Sequence, residues 1–232
     1  MQPETPMMVH PAPTTLASAQ NRVLRNTYWL LAASMVPTVL GAWIGIATGF
    51  NTLFATRPFV SVLLFLGVAF GFMFAIEKNK NSGVGVALLL GFTFFMGLML
   101  SRLLGLVLGL ANGTSLIAMA FGGTAVVFAT MATIATTTKR DLAPLGKFLF
   151  VGAVMLMIAM IANVFLQMPA LMIVLSLLAI GIFSAFMLFD INRIVTGGET
   201  NYISATLALY LDIYNVFTNL LALLGITGGS SD

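Results

Sequence analysis

The stretch Tyr202–Gly225, YISATLALYLDIYNVFTNLLALLG, is long and apolar enough to cross a lipid bilayer. It nevertheless carries an aspartate, Asp212, near its middle. A carboxylate at that depth in hydrocarbon is costly unless it faces protein or water. The stretch therefore predicts a membrane helix surrounded by other helices, with Asp212 as the first candidate functional residue.

The composition of the whole chain points to the same class of protein. Of the 232 residues 59% are hydrophobic and 7% are charged, and the mean hydropathy is +1.05. A soluble domain carries about 25% charged residues. The chain contains no cysteine, and its single histidine is His10. Disulfides and thiolate metal sites are thereby excluded, and a histidine-based catalytic or zinc site is not expected.

Hydropathy predicts seven spans and no soluble domain. We therefore expect an all-α membrane protein with a transmembrane domain over residues 27–226 and a short C-terminal tail over 227–232. Residues 1–26 are polar and contain four prolines, which predicts a disordered tail. The predicted spans are Thr27–Phe50, Phe59–Ile76, Gly83–Ser101, Thr114–Thr137, Leu145–Leu166, Pro169–Ile194 and Tyr202–Gly225.

The basic residues predict the orientation of these spans. Eight of the ten Lys and Arg residues fall on the side of the N-terminus. The positive-inside rule then places the N-terminus in the cytoplasm. The eight are Arg22, Arg25, Lys78, Lys80, Lys139, Arg140, Lys147 and Arg193, and the two on the other side are Arg57 and Arg102.

Glycines within the spans predict close approach of neighbouring helices. The chain has 22 of them. The positions that fall within spans include Gly91, Gly97, Gly122, Gly123 and Gly181.

A polar stripe follows one side of the last span. Ser204, Asn215 and Asn219 lie within an arc of about 80° beside Asp212 when the span is drawn as a helix. One interpretation is the lining of a proton or cation route. The other is a seam of hydrogen bonds between helices, which membrane proteins also use.

Asp190, near the end of the sixth span, is the expected partner of Asp212. The short turn at Gly197-Gly198 makes the last two spans antiparallel neighbours. Two carboxyl groups in one poorly solvated site cannot both ionise easily, and they titrate as a unit. Such a pair would sense pH without histidine. The alternative for Asp190 is an ion pair with Arg193 three residues later.

The residues before the last span predict a helix start. Thr200 or Asn201 can cap the helix, and Glu199 complements its dipole. No nucleophile and base pair, phosphate-binding glycine loop or HExxH motif is present, so we predict no enzyme and no small-molecule substrate. The small net charge of +3 is spread over loops and indicates no nucleic-acid surface.

Several segments together resemble the Bax-inhibitor (transmembrane Bax-inhibitor motif) family, in particular its bacterial YccA-like branch. The longest is Gly197–Gly225, GGETNYISATLALYLDIYNVFTNLLALLG. The others are VLRNTYWLL at Val23–Leu31, IAMAFGGTAVVF at Ile117–Phe128, TTTKRDLAPLG at Thr136–Gly146, IANVFLQMPAL at Ile161–Leu171 and FMLFDINRIVTGGETNYI at Phe186–Ile203.

The resemblance implies a fold and two functions. The fold is six helices around a central C-terminal seventh helix. The YccA-like branch implies an inner-membrane partner, slow substrate and modulator of the AAA+ protease FtsH, acting near the HflK–HflC complex. Other members of the family are pH-sensitive calcium leak channels, in which an aspartate pair on the last two helices is the sensor. Asp190 and Asp212 match that pair. The leak channels also carry an arginine near the end of the second helix, and Ala75–Lys80 contains none.

Neither function implies a cofactor. Calcium enters only as a permeant ion, because it requires six to eight oxygen ligands. Asp190 and Asp212, even with the amides of the stripe, supply too few for a tight site. They predict at most a weak, partly hydrated calcium contact.

Overall fold

The computed structural model describes residues 13–50, 58–138, 140 and 142–228, and the seven elements among them are all α-helices. All seven are long and apolar enough to cross a membrane, which confirms the prediction of an all-α protein with seven membrane helices. They are α1 (Pro13–Ala47), α2 (Pro58–Lys78), α3 (Gly83–Leu108), α4 (Gly113–Thr137), α5 (Ala143–Leu166), α6 (Pro169–Thr196) and α7 (Tyr202–Gly228).

The C-terminal helix α7 is the centre of the bundle. It packs against α1, α2, α3, α4 and α6, while α5 packs against α6 on the outside. Large side chains of α7, including Leu209, Tyr210 and Val216, are fully buried. In contrast, only Leu156 and Asn163 are buried in α5. The outer helices expose apolar faces, as expected for surfaces that contact lipid.

Glycines allow the close packing of α1 against α3. A methyl group at Gly97 would collide with the Thr38 carbonyl, and one at Gly41 would collide with the Phe94 carbonyl. The predicted role in helix packing is thus found at Gly97. Gly122 and Gly181, in contrast, have no neighbouring atom within 4 Å of such a methyl group.

The predicted boundary of the N-terminal tail is wrong. Helix α1 begins at Pro13, so residues 13–26 are helical, and residues 1–12 of the predicted tail lie outside the described part of the chain. Proline is well tolerated in the first turn of a helix, and no proline follows Pro13 until Pro37. Val23 and Leu24 also pack against the main core, which stabilises this part of the helix.

The C-terminal ends of α3 and α7 also extend beyond their predicted limits. Helix α3 continues from Ser101 through Arg102 to Leu108, and α7 continues from Gly225 to Gly228. Residues 229–232 of the predicted C-terminal tail lie outside the described residues.

Three interhelical connections meet at one end of the bundle. The Asn201 amide, just before α7, donates to the Lys80 carbonyl in the turn between α2 and α3 at 3.0 Å. The Asn192 amide on α6 donates to the Arg140 carbonyl between α4 and α5 at 3.3 Å. The described basic residues of these connections therefore lie on one side of the membrane domain, and this end also holds the candidate site.

Candidate functional site

The two predicted aspartates come together between α6 and α7. Their carboxyl groups are near enough to influence each other directly. Asp212 is 4% exposed, and its Oδ2 atom is buried without a hydrogen-bond partner among the described residues. At 1.5 Å per residue, Asp212 lies about 15 Å along α7 from Tyr202. The carboxylate in the middle of this apolar helix thus faces protein, not lipid.

Asp190 contacts a cation as well as the second carboxyl group. Its Oδ1 atom is 3.8 Å from an Arg193 guanidinium nitrogen, and the other end of the guanidinium is 3.6 Å from Glu199 Oε2. The two interpretations of Asp190, as partner of Asp212 and as ion-pair partner of Arg193, therefore coexist in one structure. The Arg193 guanidinium also lies over the Phe189 ring, 5.6 Å from its centroid.

The other residues of the predicted stripe are placed differently from the aspartates. The Asn215 and Asn219 amides each donate at 2.8 Å to a carbonyl one turn earlier in α7, those of Leu211 and Asn215. Among the residues that the structure describes, their amide nitrogens make no hydrogen bond to another helix. Ser204 does bridge helices, because its hydroxyl donates to Glu77 Oε2 of α2 at 2.8 Å.

The start of α7 is capped by Asn201. Its Oδ1 atom accepts hydrogen bonds from the backbone amides of Ile203 and Ser204, at 2.9 and 3.2 Å. Glu199 Oε1 accepts from the amides of Thr200 and Asn201, at 2.9 and 2.8 Å. Of the two predicted caps, Asn201 and not Thr200 thus holds the first turn, while Glu199 orders the preceding backbone.

The acidic residue Glu77 was not selected from the sequence. Besides Ser204 it contacts Lys80, and this contact raises the pKa of the Lys80 ammonium group above its usual range. In the sequence Glu77 looks like an ordinary interfacial charge beside Lys78. Only the approach of α2 to α7 connects it with the polar stripe.

Two tyrosines of α7 also make interhelical hydrogen bonds that the sequence did not predict. The Tyr210 hydroxyl is 2.9 Å from the Thr38 hydroxyl of α1, and the Tyr214 hydroxyl donates to the Met96 carbonyl of α3 at 3.1 Å. A phenol in the middle of an apolar helix needs such a partner. The presence of Tyr210 and Tyr214 within the apolar last span therefore indicates hydrogen bonds to neighbouring helices.

The site can hold a proton more readily than a tightly bound metal ion. A carboxylate only accepts hydrogen bonds, so a hydrogen bond between two carboxyl groups requires a proton on one of them. Within the described ranges no three His, Cys, Asp or Glu side chains form a group suited to a metal ion. Two carboxyl groups are too few ligands for a dedicated calcium site.

Seven membrane-spanning helices and a carboxyl pair between the last two define a class of polytopic membrane protein. Residues 20–229 match the profile of the family described as inhibitor of apoptosis-promoting Bax1. The chain belongs to this Bax inhibitor family.

Bacterial relatives match nearly the whole chain. The modulator of FtsH protease YccA from Escherichia coli K12 is 40% identical over 91% of this chain and 93% of its own length. Another E. coli strain, O6:H1, has the inner membrane protein YccA at the same 40% identity over 91% of this chain and 93% of its own. An uncharacterized protein of Neisseria meningitidis serogroup A is 38% identical over 89% of this chain and 91% of its own.

Proposed function

We propose that this protein is an inner-membrane modulator and slow substrate of the membrane AAA+ protease FtsH. Its N-terminus lies in the cytoplasm, and it acts in contact with FtsH and its HflK–HflC complex. The observation that carries the proposal is the 40% identity to a modulator of FtsH protease, which extends over 91% of this chain. The protein itself has a regulatory and not an enzymatic role.

The segment that engages the protease is the N-terminal one. An AAA+ protease pulls on a polypeptide end that reaches its pore. The segment that it grips, here called the handle, must therefore be exposed and not buried among the helices. Helix α1 begins at Pro13, and the described residues Ser18, Asn21 and Arg22 of its first turns are exposed. Residues 1–12 together with these turns form the proposed handle.

A pair of deletions tests this proposal. Deleting residues 2–18 is expected to abolish both the degradation of this protein by FtsH and its inhibition of the degradation of other substrates. Deleting residues 2–12, which leaves all of α1 in place, shows how much of the handle precedes the helix. The measurement is the half-life of this protein and of a second FtsH substrate in membranes.

The matched control keeps the length of the handle and scrambles its sequence over residues 2–12. A processive protease that needs only length is expected to accept this variant. Unchanged FtsH activity after deletion of residues 2–18 overturns the proposal. So does the absence of FtsH from the protein purified out of native membranes.

A second candidate function is a pH-sensitive calcium or cation leak. The contact between the carboxyl groups of Asp190 and Asp212 favours it. In this proposal the proton shared by the pair stabilises the closed state. A change of charge separates the carboxyl groups and opens a partly hydrated passage that binds the ion only weakly. The polar side chains Ser204, Asn215 and Asn219 line the route.

Reconstituted protein tests the leak directly. Calcium flux into liposomes is expected to depend on pH, and Asp212→Asn is expected to remove that dependence. Asp141→Asn is the matched control, because it removes a carboxylate from the chain between α4 and α5, outside the pair. Absence of flux at every pH rejects the leak and leaves the proposed role toward FtsH unaffected.

A further inference from the structure

A pocket of about 580 Å³ opens where the start of α5 meets the end of α6. Its lining includes Arg193, Thr196 and Phe189 of α6 and the two glycines of the turn before α7. One turn into α5, Gly146 allows the helix to approach Phe189 closely, because a methyl group there would collide with the Phe189 ring. The lining of the pocket thus includes an aromatic ring and a cationic side chain.

The Arg193 guanidinium in this wall has unused hydrogen-bonding capacity. Its two ion pairs are 3.8 and 3.6 Å long, beyond the distance of a good hydrogen bond. It makes no hydrogen bond to a residue that the structure describes, although a guanidinium carries five N–H donors. Its side chain is 39% exposed.

The two carboxyl groups paired with Arg193 also have other partners. Glu199 accepts two backbone amide hydrogen bonds through Oε1, and Asp190 contacts Asp212. An incoming anion can therefore engage the guanidinium while both carboxyl groups keep other partners. Since two carboxyl groups offset the charge of Arg193, the pocket favours a singly charged anion over a doubly charged one.

The surroundings of the pocket are those of a membrane interface. Leu145 and Phe148, in the first turns of α5, are exposed at 43% and 77% and can lie beside acyl chains. Arg140 and Lys147 are exposed at the same end of the bundle. Basic pockets between membrane helices on the cytoplasmic side are suited to anionic lipid headgroups.

We propose that this pocket binds the phosphodiester headgroup of an anionic phospholipid. Arg193 donates to the phosphate oxygens, in the paired geometry that a guanidinium offers. The Thr196 hydroxyl lines the headgroup end, and the acyl chains run along the exposed apolar side of α5. This site is separate from the proposed handle for FtsH and from the proposed ion route.

Lipid retention by the purified full-length protein tests the site. Native mass spectrometry would follow the titration of detergent-solubilised protein with phosphatidylglycerol, and in parallel arms with phosphatidylcholine and with inorganic phosphate. We expect phosphatidylglycerol to be retained in preference to both. Arg193→Gln is expected to weaken retention about fivefold, the contribution of one basic residue near an anionic lipid surface.

Two further variants complete the experiment. Gly198→Leu fills the pocket without changing charge, and it is expected to fold, because a methyl group at Gly198 meets its nearest atom at an ordinary 3.6 Å. It should weaken phosphatidylglycerol retention as Arg193→Gln does. Arg102→Gln removes an exposed charge at the other end of the bundle and should leave retention unchanged.

Two results would overturn the proposal. One is equal retention of phosphatidylglycerol by the unchanged protein, Arg193→Gln and Gly198→Leu. The other is inorganic phosphate binding as well as phosphatidylglycerol, which assigns the pocket to a free anion.

Discussion

At the scale of single residues, Asn201 connects the central helix to its surroundings. Its side-chain oxygen Oδ1 caps α7. Its side-chain nitrogen Nδ2 donates to the Lys80 carbonyl and to the Asn81 side chain, at 3.0 and 2.8 Å. One side chain therefore fixes the start of α7 and joins it to the turn between α2 and α3. Asn201 lies eleven residues before Asp212 and sets the position from which the candidate site is built.

Replacing Asn201 by alanine is expected to destabilise the protein by about 1–2 kcal/mol, because a helix cap and two interhelical hydrogen bonds are lost together. Thermal unfolding in detergent measures the change. Asn81→Ala is the matched control, since it removes only the hydrogen bond between the two side chains. Equal loss of stability in both variants would contradict the role of Asn201 as the cap.

The Tyr210 hydroxyl joins α7 to α1 and α3. It lies 2.9 Å from the Thr38 hydroxyl and 3.4 Å from the Thr93 carbonyl, and the residue is 1% exposed. Tyr210→Phe is expected to cost about 1 kcal/mol, because the Thr38 hydroxyl loses this buried partner while the ring still fills its space.

Tyr28→Phe provides the comparison for Tyr210→Phe in the same unfolding measurement. The Tyr28 hydroxyl makes no hydrogen bond to a residue within the described ranges, although its ring packs edge-on against Phe128. We expect this second change to be close to neutral. A loss of stability at Tyr28 as large as at Tyr210 would show that the hydrogen bond to Thr38 is not the cause.

At the scale of helices, the backbones of α1 and α3 approach each other closely. Gly41, Gly45 and Gly97 place backbone against backbone or against a small serine side chain, since added methyl groups would collide with Phe94, Ser101 and Thr38. Membrane helices associate through such contacts because burial from water supplies little driving force within lipid.

Gly97→Ala is expected to destabilise the protein by about 1–3 kcal/mol, because the added methyl group forces α1 and α3 apart. Gly122→Ala is the matched control on α4, where nothing lies within 4 Å of the new methyl group. That change should be neutral or stabilising by up to about 1 kcal/mol, owing to the higher helix propensity of alanine. Unfolding of both variants in detergent distinguishes the two sites.

The ends of the helices show where local pattern is insufficient. The polar residues and prolines before residue 27 predict a tail, although the last of those prolines, Pro13, begins α1. Residues 13–26 are polar enough for water, and their helix is supported by contacts of Val23 and Leu24 with distant residues of the core. Hydropathy identifies the membrane-embedded part of a helix but does not detect a polar extension of the same helix.

At the scale of the whole molecule, the distribution of charges predicts the side of the membrane on which each connection lies. The turn containing Lys80 and the start of α7 are held together by the amide of Asn201. The turn between α3 and α4, which contains Asn112, joins the opposite ends of the helices. The proposed orientation, with a cytoplasmic N-terminus, predicts that Ser82 faces the cytoplasm and that Asn112 faces outward.

Because the chain contains no cysteine, single cysteines report this orientation directly. In intact cells a membrane-impermeant maleimide is expected to label Asn112→Cys and not Ser82→Cys. Ser82→Cys should react only after the membrane is permeabilised. Its labelling under that condition is the control that shows the cysteine to be reactive. Labelling of Ser82→Cys in intact cells would reverse the proposed orientation.

Composition and spacing along the chain are enough to predict the seven spans, the placement of most basic residues on one side and the exceptional position of Asp212 in an apolar helix. Each of these depends on composition or on spacing along one segment, and both are local properties. The expectation that Asp190 and Asp212 meet also needed only a short turn between two antiparallel helices.

Contacts between helices that are not joined by a short turn become visible only in the folded protein. The contact between Glu77 and Ser204, the hydrogen bond from Tyr214 to α3 and the position of α5 outside α6 join segments far apart in the chain. The tilt and rotation of each helix set these contacts, and they depend on packing against all the neighbours at once. Hydropathy and helical periodicity contain no information about that packing, so neither the polar connections of α7 nor the pocket at Arg193 could be read from the sequence.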